Sequence, residues 1–145
     1  MEYKKSYKGF VIWMVLFIIS MFACAFVPTE DVNLITLLID NIMTIGMALL
    51  TWIIYKNEKI YWYTGLSYED ARKAGSEQRK EYAMKHFKRF GIFAGIYLVY
   101  SIIALLFDIP IGVSITIVLI GLVGVALSTM NIKLDTGCQN FSDKI

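Results

Sequence analysis

Four long apolar runs, at residues 10–27, 34–55, 90–107 and 111–132, contain no Lys or Arg. They restrict what this chain can fold into more than any other feature. The runs are continuous rather than alternating, so they do not have the period of half-buried strands. A helix rises about 1.5 Å per residue, so about 20 residues cross a hydrocarbon core of about 30 Å. Runs of 18 and 22 residues meet that length. In lipid each backbone N–H and C=O must be paired within its own element, which leaves a helix for each run. Composition agrees: 57% of the 145 residues are hydrophobic and 18% are charged, below the about 25% charge of a soluble domain.

The expected fold is all-α, an integral membrane four-helix bundle forming one membrane domain. The connections at 28–33 and 108–110 are short, which makes the spans they join antiparallel neighbours. Two antiparallel hairpins are then joined by segment 56–89, which is expected to contain an amphipathic helix.

Charge sets the orientation. Of the 14 Lys and Arg residues, Lys4, Lys5 and Lys8 precede the first run, nine lie in 56–89, and Lys133 and Lys144 follow the last. The short connections carry only Glu30, Asp31 and Asp108. The positive-inside rule places the basic side in the cytoplasm, with both termini there and a multi-pass plasma-membrane location. Eleven Lys against three Arg, with 21 Ile, is the usage of a low-GC bacterial genome. The start of the chain also fits a signal peptide, with a basic region, an apolar region and Ala23-Cys24-Ala25 as a cleavage site. Met21-Phe22-Ala23-Cys24 loosely fits a lipoprotein cleavage box. The further apolar runs favour an uncleaved anchor. Cys24 and Cys138 fall on opposite sides of the membrane, whereas a disulfide needs Cα atoms within about 7 Å. With no Cys-x-x-Cys pair, a membrane thiol oxidoreductase is excluded.

Segment 56–89 divides into three parts. Ile60-Tyr61-Trp62-Tyr63 is an aromatic cluster suited to the headgroup level. Thr64, Gly65 and Leu66 then form a turn. Ser67 is an N-cap with Asp70 three residues on, opening a helix from Tyr68 to about Arg89 that Gly75-Ser76 breaks or bends. Glu69–Lys73 and Glu81–Lys85 have i,i+4 spacing, and Tyr68, Ala71, Gly75, Gln78 and Tyr82 trace a narrow stripe. At its end Lys85, His86, Lys88 and Arg89 stand beside Phe87 and Phe90. Cations beside rings at a membrane surface suit anionic lipid heads or a protein partner; basic residues that only hold the topology are the simpler account. Glu69, Asp70, Glu77 and Glu81 dilute the positive charge and argue against nucleic acid. One His without a cysteine cluster builds no zinc site. No phosphate loop or nucleophile motif is present, and the soluble part is too short for a catalytic domain. The expectation is no enzyme and no cofactor.

Inside the spans the carboxyl of Asp40 stands out. A carboxylate in lipid is costly and is expected to face the bundle or water. Thr36, Asp40, Thr44, Met47, Ala48 and Thr51 share one face of their helix, and Ser114, Gly121, Gly124, Ser128 and Asn131 share one face of the last. Gly91-x-x-x-Gly95 has the spacing of a close-packing motif. Counted inward from the outer ends, Ser20, Asp40, Tyr100, Ser101, Ser114 and Thr116 reach similar depths and suggest a polar layer. Asp40, Asn41, Thr44 and Ser114 form the candidate intramembrane site. Asp40 is open to three roles: a hydrogen-bonding group between helices, an interfacial residue at the wet outer mouth, or a proton- or cation-binding group. In length and span number the chain resembles the small multidrug transporters, whose acidic residue lies in the first span. Residues 10–27 contain none, so the resemblance is one of architecture. The expected role is interaction or regulation through the cytoplasmic segment, with a protein partner or a second copy of the chain. The alternative is a small oligomeric transporter using Asp40.

Overall fold

The computed structural model describes residues 3–63 and 65–134. Thr64 of the expected turn and Cys138 in the tail lie outside the described residues. The described chain is helical, without strands: α1 (Lys8–Ala23), α2 (Val32–Asn57), α3 (Tyr68–Lys73), α4 (Ser76–Leu106) and α5 (Ile111–Met130). Short 3-10 turns occupy Cys24–Phe26 and Ile60–Trp62. Four helical segments are long and apolar enough to cross a membrane: α1 with its 3-10 turn to Phe26, α2, α4 and α5.

Local chemistry explains the boundaries. Asp31 accepts from the N–H groups of Asn33 (2.9 Å) and Leu34 (3.1 Å) and so caps α2. Glu58 ends α2 in the left-handed region at φ 57°. Ser67 caps α3, its Oγ accepting from Asp70 N–H at 3.1 Å and donating to Asp70 Oδ2 at 2.6 Å. Ala74 is extended, and α4 restarts after Gly75, whose N–H donates to Gln78 Oε1 at 2.8 Å. Asp108 turns the chain at φ 48° before Pro110 opens α5.

The helix expected to end near Arg89 and the span expected to start at 90 are joined in the structure. α4 is one helix of 31 residues, about 46 Å at 1.5 Å per residue. That exceeds the hydrocarbon thickness by roughly half. Its apolar part begins at Phe90, and the charged turns before it project from the membrane-length portion. The break expected at Gly75-Ser76 is present, at Ala74 and Gly75, where a glycine precedes the new N-terminus.

α2 packs chiefly on α4, α5 packs on both, and α1 packs on α2 without burying a residue of its own. Two glycines seat aromatic rings between helices. A methyl group at Gly46 of α2 would strike Phe17 of α1, and one at Gly121 of α5 would strike Phe93 of α4. The expected Gly91-x-x-x-Gly95 seat is not used: Gly91 meets only Phe87 of its own helix, and nothing lies near Gly95 or Gly124. Small residues allow close approach only where a partner arrives, and here the partner is a ring on a neighbouring helix.

The main apolar core lies at the charged end. Ile54, Ile60, Tyr61, Ala71, Tyr82 and Ala83 are buried there, with Tyr3, Tyr63 and Tyr68 packed around them. The 60–63 cluster therefore turns inward, against the N-terminal segment and the starts of α3 and α4. It does not lie flat as a surface anchor, because Ile60 and Tyr61 bury their apolar area against protein.

Candidate functional site

Two constellations stand out, one inside the membrane-length part and one at the charged end. The first lies between α2, α4 and α5. Asp40 is 5% exposed and Tyr97 is 1% exposed. The Tyr97 hydroxyl donates to Asp40 Oδ2 at 2.7 Å and lies 3.5 Å from the Ser114 carbonyl. Tyr100 Oη and Ser114 Oγ are 3.0 Å apart. Asn41 Nδ2 donates to Ser101 Oγ at 2.8 Å and to the Leu37 carbonyl at 2.7 Å. Ser101 Oγ in turn donates to the Tyr97 carbonyl at 2.8 Å. Asn41 Oδ1 is buried without a hydrogen-bond partner.

Of the four residues expected at this site, three join the network. Asp40, Asn41 and Ser114 gather around Tyr97, Tyr100 and Ser101. Thr44 is buried one turn on, its hydroxyl donating to the Asn41 carbonyl at 3.1 Å. Ser20 and Thr116, expected in the layer, are exposed and donate to carbonyls one turn back in their own helices. Tyr97 is the group that sequence reasoning missed. A signal was present: Phe90, Ala94, Tyr97, Ser101 and Ala104 recur at helical spacing and are the buried face of α4. Chemically the arrangement offers one carboxyl group, oriented by a phenol and able to take a proton or a cation.

The second constellation is the packed cap at the charged end, built on Arg79. Its Nε and one terminal nitrogen donate to Glu58 Oε2 at 3.0 and 2.8 Å. Its other terminal nitrogen donates to the carbonyls of Ala71, at 3.3 Å, and Ala74. The guanidinium lies 4.3 Å from the Tyr3 ring centroid. Such a fork satisfies the end of α3, neutralises Glu58 and stacks on an aromatic at once, which an ammonium group cannot do. Glu58 also accepts from Ser76 Oγ at 2.7 Å, and Lys80 is 3.5 Å away. Burial pushes the Glu58 carboxyl up, but the bonds from Ser76 and Arg79 and the charges of Arg79 and Lys80 outweigh it and hold it below the usual range.

The N-terminal segment is stapled to this cap. The Tyr3 hydroxyl donates to the Glu58 carbonyl at 2.6 Å, and its ring stacks on Tyr68, whose hydroxyl donates to the Tyr3 carbonyl. Ser6 N–H donates to Tyr61 Oη at 2.7 Å, and Trp62 Nε1 donates to the Ser6 carbonyl at 3.2 Å. Lys59 Nζ donates to the Lys4 carbonyl at 2.7 Å.

The four residues expected to meet lipid heads or a partner are separated by this packing. Lys85 pairs with Glu81 at 2.8 Å. His86 is 4% exposed, its ring packed against those of Tyr63 and Tyr82, with Nδ1 3.0 Å from the Tyr82 carbonyl. Arg89 donates to the Ser128 carbonyl near the end of α5. Lys88 is exposed to solvent. Burial lowers the His86 pKa, the Tyr82 carbonyl opposes, and the Arg89 charge adds to the fall. The expected Glu69–Lys73 pair is replaced by Glu69–Arg72 at 3.1 Å.

No group of three or more His, Cys, Asp or Glu residues able to hold a metal exists among the described residues. Cys24 is buried, with its Sγ 3.7 Å from the Ser20 carbonyl. No protein-family model, curated protein or solved structure matches the chain.

Proposed function

We propose that the chain is a small multi-pass protein of the plasma membrane whose cytoplasmic cap engages a protein partner, without catalysis or a cofactor. In this reading α1–α2 and α4–α5 are two antiparallel hairpins of a four-helix bundle. Both termini lie on the cytoplasmic side with the cap, in keeping with the lack of Lys and Arg in the connections at 28–33 and 108–110. The observation that carries the reading is the packed cap itself. Topology needs only a few basic residues, whereas ordering a segment costs about 1–2 kcal/mol per residue. This segment is ordered by its own aromatic core and by Arg79, and it presents Glu69, Arg72, Lys73, Glu77 and Lys80 on the outside. A fixed pattern of both charge signs suits recognition of a complementary protein surface. Anionic lipid heads beside the exposed Lys88, and a second copy of the chain, are further contacts in keeping with it.

The test is a photo-crosslinking residue placed at Arg72 or Glu77 in intact cells. It is expected to capture one discrete protein. Replacing Glu69 and Lys73 by Ser is expected to abolish that capture without changing the thermal melt. Capture that survives the replacement, or none at either site, contradicts the proposal. A second reading, a small oligomeric transporter coupling a proton or cation through Asp40, is favoured by the Tyr97–Asp40 bond and the partnerless Asn41 Oδ1. It requires Asp40→Asn to abolish a proton-coupled flux in proteoliposomes.

A further inference from the structure

α1 packs on α2 without burying a residue of its own and leaves a hollow beside it. A hollow of about 500 Å3 runs between α1 and α2, from Gly9 and Trp52 at the charged end to Ser20. Between Gly9 and Ser20 this is about 16 Å of helix. A second hollow, of about 330 Å3, lies between α2 and α4 beside Ala48 and Ala94. Ile45, Leu49 and Trp52 of α2 line both, so the two hollows flank one ridge. Both are almost wholly apolar.

At the top of the ridge the chemistry changes sign. Lys56 Nζ lies 5.0 Å above the Trp52 ring, and Lys8 precedes Gly9 at the mouth of the larger hollow. Both lysines are exposed, and no carboxylate of the described residues pairs with either. The nearby acid, Glu58, is occupied by Arg79, Lys80 and Ser76. An occupant of this place needs two apolar chains on either side of a ridge and one negative charge above it.

We infer that these paired hollows and the lysines over them form a site for one diacyl anionic phospholipid of the cytoplasmic leaflet. Its two chains straddle Ile45, Leu49 and Trp52, and its phosphate meets Lys56 and Lys8. The indole of Trp52 separates the apolar and charged levels, where such rings are favoured. The inference rests on the membrane reading above but not on the role of the cap, and lipid retention in detergent is read without reference to either partner or flux.

The full chain in detergent micelles is titrated with dioleoyl phosphatidylglycerol or dioleoyl phosphatidylcholine, and bound lipid is read by native mass spectrometry. One phosphatidylglycerol is expected to be retained in preference to phosphatidylcholine. Lys8→Gln with Lys56→Gln is expected to weaken that retention by roughly thirty-fold, from about fivefold per basic residue near the headgroups. Both positions are on the surface, so the variant keeps its fold. Lys73→Gln, on α3, is expected to leave the preference intact. Ala48→Phe fills the smaller hollow and is expected to favour the single-chain lysolipid over the diacyl lipid. Equal retention of the two headgroups, an undiminished preference in the double lysine variant, or a second copy of the chain in place of bound lipid overturns the inference.

Discussion

At the scale of single residues, Arg79 does more than any other side chain to hold the cap. Its side chain is 12% exposed and that of Glu58 is 20% exposed, so neither charge is fully screened. Removing one partner of a fully buried pair costs about 3–5 kcal/mol; partial exposure here lowers the expected loss for Arg79→Ala to about 2 kcal/mol. Arg79→Lys is expected to recover little of it, because the ammonium cannot serve Glu58, the α3 carbonyls and Tyr3 together. The measurement is unfolding in detergent followed by tryptophan fluorescence, since Trp62 lies in the cap. Acid adds a second signature. The folded Glu58 carboxyl lies below its ordinary value of 4.5, so the unfolded chain binds the proton more readily. The stabilisation is present above about pH 4.5 and is lost as pH falls through the folded value. Arg79→Ala is expected to flatten that acid loss, and a loss of unchanged slope argues against the pair.

The same residues mark what the sequence concealed. Tyr3 meets Glu58 and Tyr68 across 55 and 65 positions, and no period or motif links positions so far apart. A hydrophobic run announces a helix because its own backbone closes the bonds; a cap assembled from distant tyrosines has no such local trace. Asp40 was legible as a costly group needing a partner, but not the identity of that partner. Tyr97 has the helical spacing of a core residue, and its hydroxyl looks like the tip of an ordinary packed ring until α2 is set against α4.

At the scale of elements, the helices follow from the apolar runs, and the seams between them do not. The two ring-on-glycine contacts give opposite expectations for changes that look equivalent. In a helix interior Gly→Ala is favourable by roughly 0.5–1 kcal/mol where nothing is struck. Gly95→Ala has open space before it and is expected to gain about that amount. Gly121→Ala drives a methyl group into Phe93, and overpacking of this kind costs about 1–3 kcal/mol. Helicity against dodecyl sulfate titration in mixed micelles separates the two. Equal effects of the two changes contradict the seating of Phe93 between α4 and α5. Continuity of α4 belongs to the same scale. Arg89 belongs to the helix and donates to the Ser128 carbonyl, so a residue that looked like a lipid-facing cation offsets the negative end of a neighbouring helix. A continuous α4 also links the cap to Tyr97 without a loop between them.

At the scale of the whole molecule, the charge distribution and the packed cap make one connected claim. The cap carries nine Lys and Arg residues, and the opposite end offers only Glu30, Asp31 and Asp108. Moving the cap outward would reverse the positive-inside preference for the entire chain, since no basic residue at the other end offsets it. Orientation is therefore expected to be uniform rather than dual. With Cys24 and Cys138 replaced by Ser, Glu30→Cys is expected to react with a membrane-impermeant maleimide in intact cells. Lys73→Cys is expected to react only after permeabilisation. Labelling of both sites in intact cells marks a mixed population, the arrangement an antiparallel transporter dimer would use, and it favours the Asp40 reading over the cap. Labelling of Lys73→Cys alone reverses the topology; it removes the cap from cytoplasmic partners and places Lys8 and Lys56 in the outer leaflet.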